Sequence, residues 1–154
     1  MRIAIGSDHA GVEMKRDLAA FLAQNGHQVT DLGTHAATPP VDYPDMAAAV
    51  SEAVLGGLAD RGVVICGSGA GAAMAASKIP GIRASVVHDD YTARQAVEHD
   101  NLNVLCLGAR VIGPALARTI VDTFLAARFS GEARHIQRLQ KIEAIERRFS
   151  RLTG

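Results

Sequence analysis

A cysteine stands directly before a run of closely spaced glycines, Cys66-Gly67-Ser68-Gly69-Ala70-Gly71, after the apolar residues 63–65. A glycine-rich turn between a strand and a helix aims backbone N–H groups at one point and adds the positive end of the helix. Such a cradle stabilises an anion, including the oxygen of an enediolate as it develops in a transition state. The same field is expected to draw the Cys66 thiol from about 8.5 toward neutrality, and a thiolate there could remove a carbon-bound proton. The ordinary alternative is a structural cysteine in an apolar strand. A second alternative is a dinucleotide site. Gly67-x-Gly69-x-x-Ala72 follows a strand and opens a helix, with Asp89 and Asp90 about 20 residues further on, which meets a relaxed nucleotide fingerprint.

Other chemically capable residues fall near element ends. Asp8 and His9 follow the first apolar run within Gly6–Gly11, where a helix cap and a solvent-facing imidazole are the plain roles. Asp42-Tyr43-Pro44 reads as a turn before a helix, and His99 closes a helical stretch ahead of Asp100-Asn101. Arg110 lies just past the fifth run, beyond Gly108. Arg134 and Arg138 are four apart on one helical face, a spacing that solvates a helix or converges two guanidinium forks on a phosphate. The six histidines (9, 27, 35, 88, 99 and 135) show no His-x-x-x-His spacing, and Cys-x-x-Cys is absent, so no metal site is expected. Proton transfer is then a better fit than a metal-assisted hydride shift.

Five short apolar runs must position these residues: 2–5, 28–32, 63–66, 82–87 and 104–107. Their nearly continuous apolar character suits parallel strands covered on both faces. Between and after them lie helix-patterned stretches at 12–25, 45–58, 71–78, 91–98 and 114–128, delimited by Gly26, Pro44, Pro80-Gly81 and Gly113-Pro114. Repeated strand–helix units predict one α/β domain, a three-layer α/β/α sandwich over a mainly parallel sheet. A final helix over about 132–152 carries Ile136, Leu139, Ile142, Ile145, Phe149 and Leu152 as one apolar stripe, to be buried against its own domain or another subunit.

Composition narrows the partners. Lys+Arg and Asp+Glu balance at 16 each, so no global field draws nucleic acid or an anionic membrane, and aromatics at 4% weaken base stacking. The opening residues 1–6 lack a long apolar stretch, and no run approaches a membrane-spanning length. Two cysteines make a poor disulfide framework, which points to a reducing cytoplasm.

Taken in order, Gly6-Ser-Asp-His-Ala-Gly11, Asp42-Tyr43-Pro44, Ile65-Cys-Gly-Ser-Gly-Ala-Gly71, Gly81-Ile-Arg-Ala84, Asn103-Val-Leu, Leu107-Gly-Ala-Arg-Val-Ile-Gly113 and Arg134-His-x-x-Arg138 resemble the type B ribose-5-phosphate isomerases. Their superfamily includes galactose-6-phosphate isomerase. The resemblance spans roughly residues 1–150 and implies a Rossmann-like five-stranded parallel sheet, no cofactor, and a homodimer or tetramer with active sites shared between subunits. It implies Cys66 as the base between C1 and C2, Ser68 as its support, and Gly67, Gly69, Ala70 and Gly71 as the enediolate cradle. His99 would assist opening of the furanose ring, with Asp42 as partner. Asp8, His9 and Tyr43 would contact the sugar, and His9, Arg110, Arg134 and Arg138 the phosphate, with His135 of second rank. Family members that use a glutamate further along the loop differ from this chain, where Ala72-Ala73 offers no carboxylate. A further departure is Asp100, where the family commonly carries Asn. An ionised Asp100 would repel an oxyanion unless it faces a hydroxyl or Asn101 takes over, which leaves tetrose, allose and galactose phosphates as alternative substrates.

Overall fold

The computed structural model describes residues 1–150. Five strands, β1 (Arg2–Ser7), β2 (Gln28–Asp31), β3 (Arg61–Cys66), β4 (Ala84–Val86) and β5 (Val104–Gly108), form one sheet in the order β2-β1-β3-β5-β4. Every neighbouring pair is parallel. The chain leaves β1 toward one edge and returns at β3 on the other side of it. The crevice of this topological switch therefore opens above the carboxyl ends of β1 and β3, where ligands bind in sheets of this kind.

Strand side chains alternate between faces and sort by size. Ile3, Ile5, Val63, Ile65, Leu105 and Leu107 pack with helices α1 (Val12–Gln24), α4 (Asp90–Asp100) and α5 (Pro114–Ala126). Ala4, Val64, Cys66, Val104 and Cys106 face α2 (Tyr43–Leu55) and α3 (Ala70–Ala76), both rich in alanine. Small residues on both sides let α2 and α3 approach the sheet closely, and Cys66 inherits that face by its parity with Val64.

The helices begin and end where local chemistry dictates. Pro44 and Pro114 occupy first turns, where a missing N–H costs nothing. Asp89 caps α4 by accepting the Thr92 N–H at 2.6 Å, and Asn101 ends it in the left-handed region at φ 50°. Helix α2 starts two residues earlier than the pattern suggested, with Tyr43 already helical, and β3 reaches back to Arg61-Gly62.

Among the described residues, two cations are buried. Arg61, at the start of β3, donates to the Phe124 carbonyl and, at 2.8 Å, to that of Ala127, satisfying the end of α5 while lying over the Phe124 ring. Burial, with the nearby charge of Arg128, draws its guanidinium down to about 10, so it stays cationic at neutral pH. Lys15, on the inner side of α1, donates to Asp31 at the end of β2 at 2.5 Å. This pair fastens α1 to the edge strand.

The last helix, α6 (Ala133–Ser150), lies against α4 and little else. Its Glu146 accepts the Gly81 N–H at 3.1 Å. Of the predicted stripe, Ile136, Ile142, Ile145 and Phe149 remain 41–59% exposed, so self-packing does not cover it; Leu152 lies outside the described residues. A groove of about 960 Å³ runs beneath Ile142, Ile145 and Phe149, facing Arg83, Asp100 and Leu102. No described helix is long and apolar enough to cross a membrane.

The Lys15–Asp31 pair yields a stability prediction. Burial alone would raise the Asp31 carboxyl, but hydrogen bonds from Lys15 and the Gly33 N–H, with the charge of Lys15, hold it below the usual range. A depressed carboxyl stabilises the fold fully above its unfolded value of about 3.9, and that contribution is lost as pH falls through the folded value. Asp31→Asn is expected to cost about 3 kcal/mol at pH 7, the low end for breaking a buried pair because Asp31 is partly exposed. Urea unfolding should show the gap to wild type narrowing below about pH 4; a gap unchanged in acid would refute the ion pair as its source.

Candidate active site

The cleft above β1, β3 and β5 encloses about 340 Å³ and is lined by Asp8, Tyr43, Cys66, Gly67, Ser68, Gly71, Arg110 and Val111. Its floor is built from main chain. The Ala109 N–H donates to the Cys66 carbonyl at 2.8 Å and the Arg110 N–H to that of Gly67 at 3.0 Å. These two bonds stitch the loop after β5 to the loop after β3. The fit requires glycine: a Cβ on Gly108 would lie 2.6 Å from the Ser68 carbonyl oxygen, and Gly69 holds φ 82° against the main chain of Leu107.

Cys66 is buried at the cleft wall, and its sulfur accepts the Gly69 N–H at 3.1 Å. A sulfur anion accepts such a bond more strongly than a neutral thiol. Ser68 is exposed, with its Oγ accepting the Ala70 N–H at 3.2 Å. The Arg110 guanidinium lies along Gly67, where a Cβ would come within 3.3 Å of its Nη1. The Tyr43 ring rests on Gly71; any Cβ there would meet ring atoms at 2.6–3.0 Å. Glycine at 67 and 71 thus makes room for side chains that enter the cleft from other elements.

The β1 end contributes a fixed carboxylate and an imidazole. Asp8 is buried and accepts the Ala10 and Gly11 N–H groups at 2.9 and 3.3 Å, capping the short 3₁₀ turn His9–Gly11. The capping role expected of it is therefore real, and Asp8 still borders the cleft. His9 Nδ1 lies 3.2 Å from the Val41 carbonyl. A carbonyl only accepts, so Nδ1 carries the proton and Nε2 is left for another partner. Asp42, at the start of α2, is exposed and takes no capping bond.

His99, Asp100, Arg134 and Arg138 stand elsewhere. Helix α4 runs from the cleft end of the sheet back to the opposite end, about 16 Å over its 11 residues. His99 is in its last turn and stacks on His135, ring centroids 4.1 Å apart. Arg134 and Arg138 bring their charges to the same place, on the first turns of α6. Within one chain, His99 therefore cannot reach Cys66, nor Asp42 pair with it. His135 is fully buried in this chain, with its Nε2 making no hydrogen bond.

His88 was not singled out from the sequence. Its Nε2 accepts the Gly108 N–H at 2.9 Å, replacing the carbonyl that the short strand β4 does not extend to offer. The signal was available: like Asp8, His88 comes just after an apolar strand, on the cleft side of the sheet. Among the described residues no group of three or more His, Cys, Asp and Glu side chains is placed to hold a metal. Of the two acids in the nucleotide fingerprint, Asp89 is engaged in capping α4 and Asp90 lies in that helix's first turn.

Comparison with known proteins agrees with this architecture. A family model described as Ribose/Galactose Isomerase matches residues 3–142. The chain is 44% identical to ribose-5-phosphate isomerase B of Escherichia coli over 147 residues, 96% of this chain and 97% of that protein. It is 40% identical to D-erythrulose-4-phosphate isomerase of Pectobacterium atrosepticum over 131 residues, 85% of this chain and 86% of the relative. The solved structure of Clostridium thermocellum ribose-5-phosphate isomerase B superposes with a TM-score of 0.94 at 51% identity, covering 97% of this chain and 99% of that one. With the motifs in register along nearly the whole length and the fold reproduced around them, the chain belongs to the ribose/galactose isomerase family as a sugar-phosphate isomerase of the type B ribose-5-phosphate isomerase kind.

Proposed function

We propose that this enzyme interconverts ribose 5-phosphate and ribulose 5-phosphate by metal-free proton transfer through an enediolate, at a site assembled from two copies of the chain in the cytoplasm. The observation that carries the reading is Cys66 Sγ bonded to the Gly69 N–H beside an open, amide-lined cleft that also holds the Arg110 guanidinium. In the aldose-to-ketose direction, Cys66 as thiolate takes the proton from C2, and the electron pair forms the C1–C2 double bond of the enediolate. The negative charge moves to O1, where the amides of Gly67–Gly71 stabilise it. The proton returns to C1, the O2 proton leaves as C2 becomes the carbonyl, and O1 is protonated. Ser68 supports the base, while Asp8, His9 and Tyr43 orient the hydroxyls.

Two copies are required because His99, Arg134 and Arg138 lie at the opposite end of the sheet from Cys66. A twofold pairing would lay the His99 end of one protomer over the cleft of the other and cover the exposed stripe of α6. The partner's phosphate-holding arginines would then act with Arg110 and His9. His99 would donate a proton to the ring oxygen as Asp42 accepts that of the anomeric hydroxyl. Remote phosphate binding of this kind holds the reacting carbons in place.

Three outcomes test this reading. Cys66→Ala should fold normally yet lose at least about 10³-fold in kcat, as expected when the general base is removed; retained turnover would remove Cys66 from the mechanism. Coexpressing Cys66→Ala with Arg138→Ala should regenerate one complete site in each mixed dimer, about a quarter of wild-type activity. Mixtures as inactive as either parent would show that the site is not shared. Across four-, five- and six-carbon aldose phosphates, ribose 5-phosphate should give the highest kcat/KM, with Asp100→Asn raising it further by relieving charge near the substrate oxygen; a faster tetrose or hexose phosphate would reassign the substrate.

A further inference from the structure

His135 and Ser130 are absent from the chemistry above, yet they are built around His99. The His135 ring is fully buried and stacks on His99 with 25° between planes. Its Nδ1 lies 2.6 Å from Ser130 Oγ, which also accepts the Glu132 N–H at 3.2 Å. The hydroxyl has both a proton and a second lone pair for Nδ1, so either neutral tautomer of His135 keeps this bond. Ser130 is itself tied to α4, its N–H donating to the Glu98 carbonyl at 2.9 Å. The residue before His99 and the ring beneath His99 are therefore held by one serine.

We propose that Ser130 and His135 are positioning residues for ring opening: a neutral, anchored imidazole that fixes the His99 ring and leaves His99 the sole proton carrier of the pair. Stacked imidazoles do not both carry charge at contact distance. Burial first, then the charges of His99, Arg134 and Arg138 against the opposing pull of Glu132, hold His135 below its ordinary value, so the buried ring is the neutral one. The step served is balanced within the sugar. The anomeric hydroxyl loses its proton to the Asp42 carboxylate, C1=O forms as the bond from C1 to the ring oxygen breaks, and that oxygen takes the proton of His99.

This inference rests on the isomerase reading, and the test separates the two. Ribulose 5-phosphate has no ring to open, because the hydroxyl that could close on C2 is esterified. Exchange of its C1 hydrogen with solvent deuterium needs the Cys66 base but not the ring-opening step. His135→Ala and Ser130→Ala should each lower kcat on ribose 5-phosphate by about tenfold or more, the scale of a misplaced catalytic group, while KM and C1 exchange stay within about twofold. His135→Phe, which keeps a ring against His99, should recover most of the loss. Equal losses in both reactions, or no loss in either, would overturn the proposal, and the serine variant keeps the test open if His135→Ala does not fold. Should wild type fail to exchange the C1 hydrogen, the proton-transfer reading of the cleft falls; should His99→Ala slow both reactions alike, the ring-opening role of His99 falls, and the proposal with it.

Discussion

Two main-chain hydrogen bonds, from Ala109 to Cys66 and from Arg110 to Gly67, hold the loops after β3 and β5 together. Everything at the cleft depends on this contact. It places the Cys66 sulfur under the Gly69 amide, lays Arg110 along Gly67, and leaves space for the Tyr43 ring over Gly71. The contact exists only because β3 and β5 are adjacent in the sheet and because residues 69 and 108 carry no Cβ. His88 completes the arrangement by taking the Gly108 amide that strand pairing leaves over. A polar site has thus been made from the backbone ends of an apolar sheet, with few side chains committed to holding it.

The remaining functional groups are distributed with equal economy. One end of the sheet carries the sulfur, the amide cradle and one guanidinium; the other carries the stacked histidines and two more arginines. In the two-copy site proposed above, each half would supply what the other lacks for a cyclic phosphorylated sugar. Concentrating three guanidinium groups and an imidazolium in one unliganded cleft would cost repulsion in every empty protomer. Dividing them between two protomers, as proposed, would defer that cost to assembly, where substrate phosphate can offset it.

Much of this was legible in the sequence. Continuous apolar runs separated by helical spacing gave the layered fold, and strand ends rich in glycine gave the cleft, because both follow from local pattern. The Gly67–Gly71 turn was open to a nucleotide reading by pattern alone, and the match to the ribose/galactose isomerase family closed it. What escaped was set by tertiary packing. Lys15, Arg61 and His135 look like ordinary polar residues in helical or strand stretches, and only the neighbours they meet across the fold reveal them as buried. The distance between His99 and Cys66 was equally invisible, since it depends on the direction in which α4 crosses the sheet. His88 could have been found by asking of β4 what was asked of β1 and β3.

Arg61 ties the strand that carries Cys66 to the end of α5 through the carbonyls of Phe124 and Ala127. Three residues after that clasp comes Ser130, which anchors the ring under His99. One hidden cation thus stands behind both the strand that leads to Cys66 and the segment that leads to Ser130. In a mutational survey scored by turnover alone, position 61 would be grouped with the chemistry, although its work is that of a dowel between strand and helix.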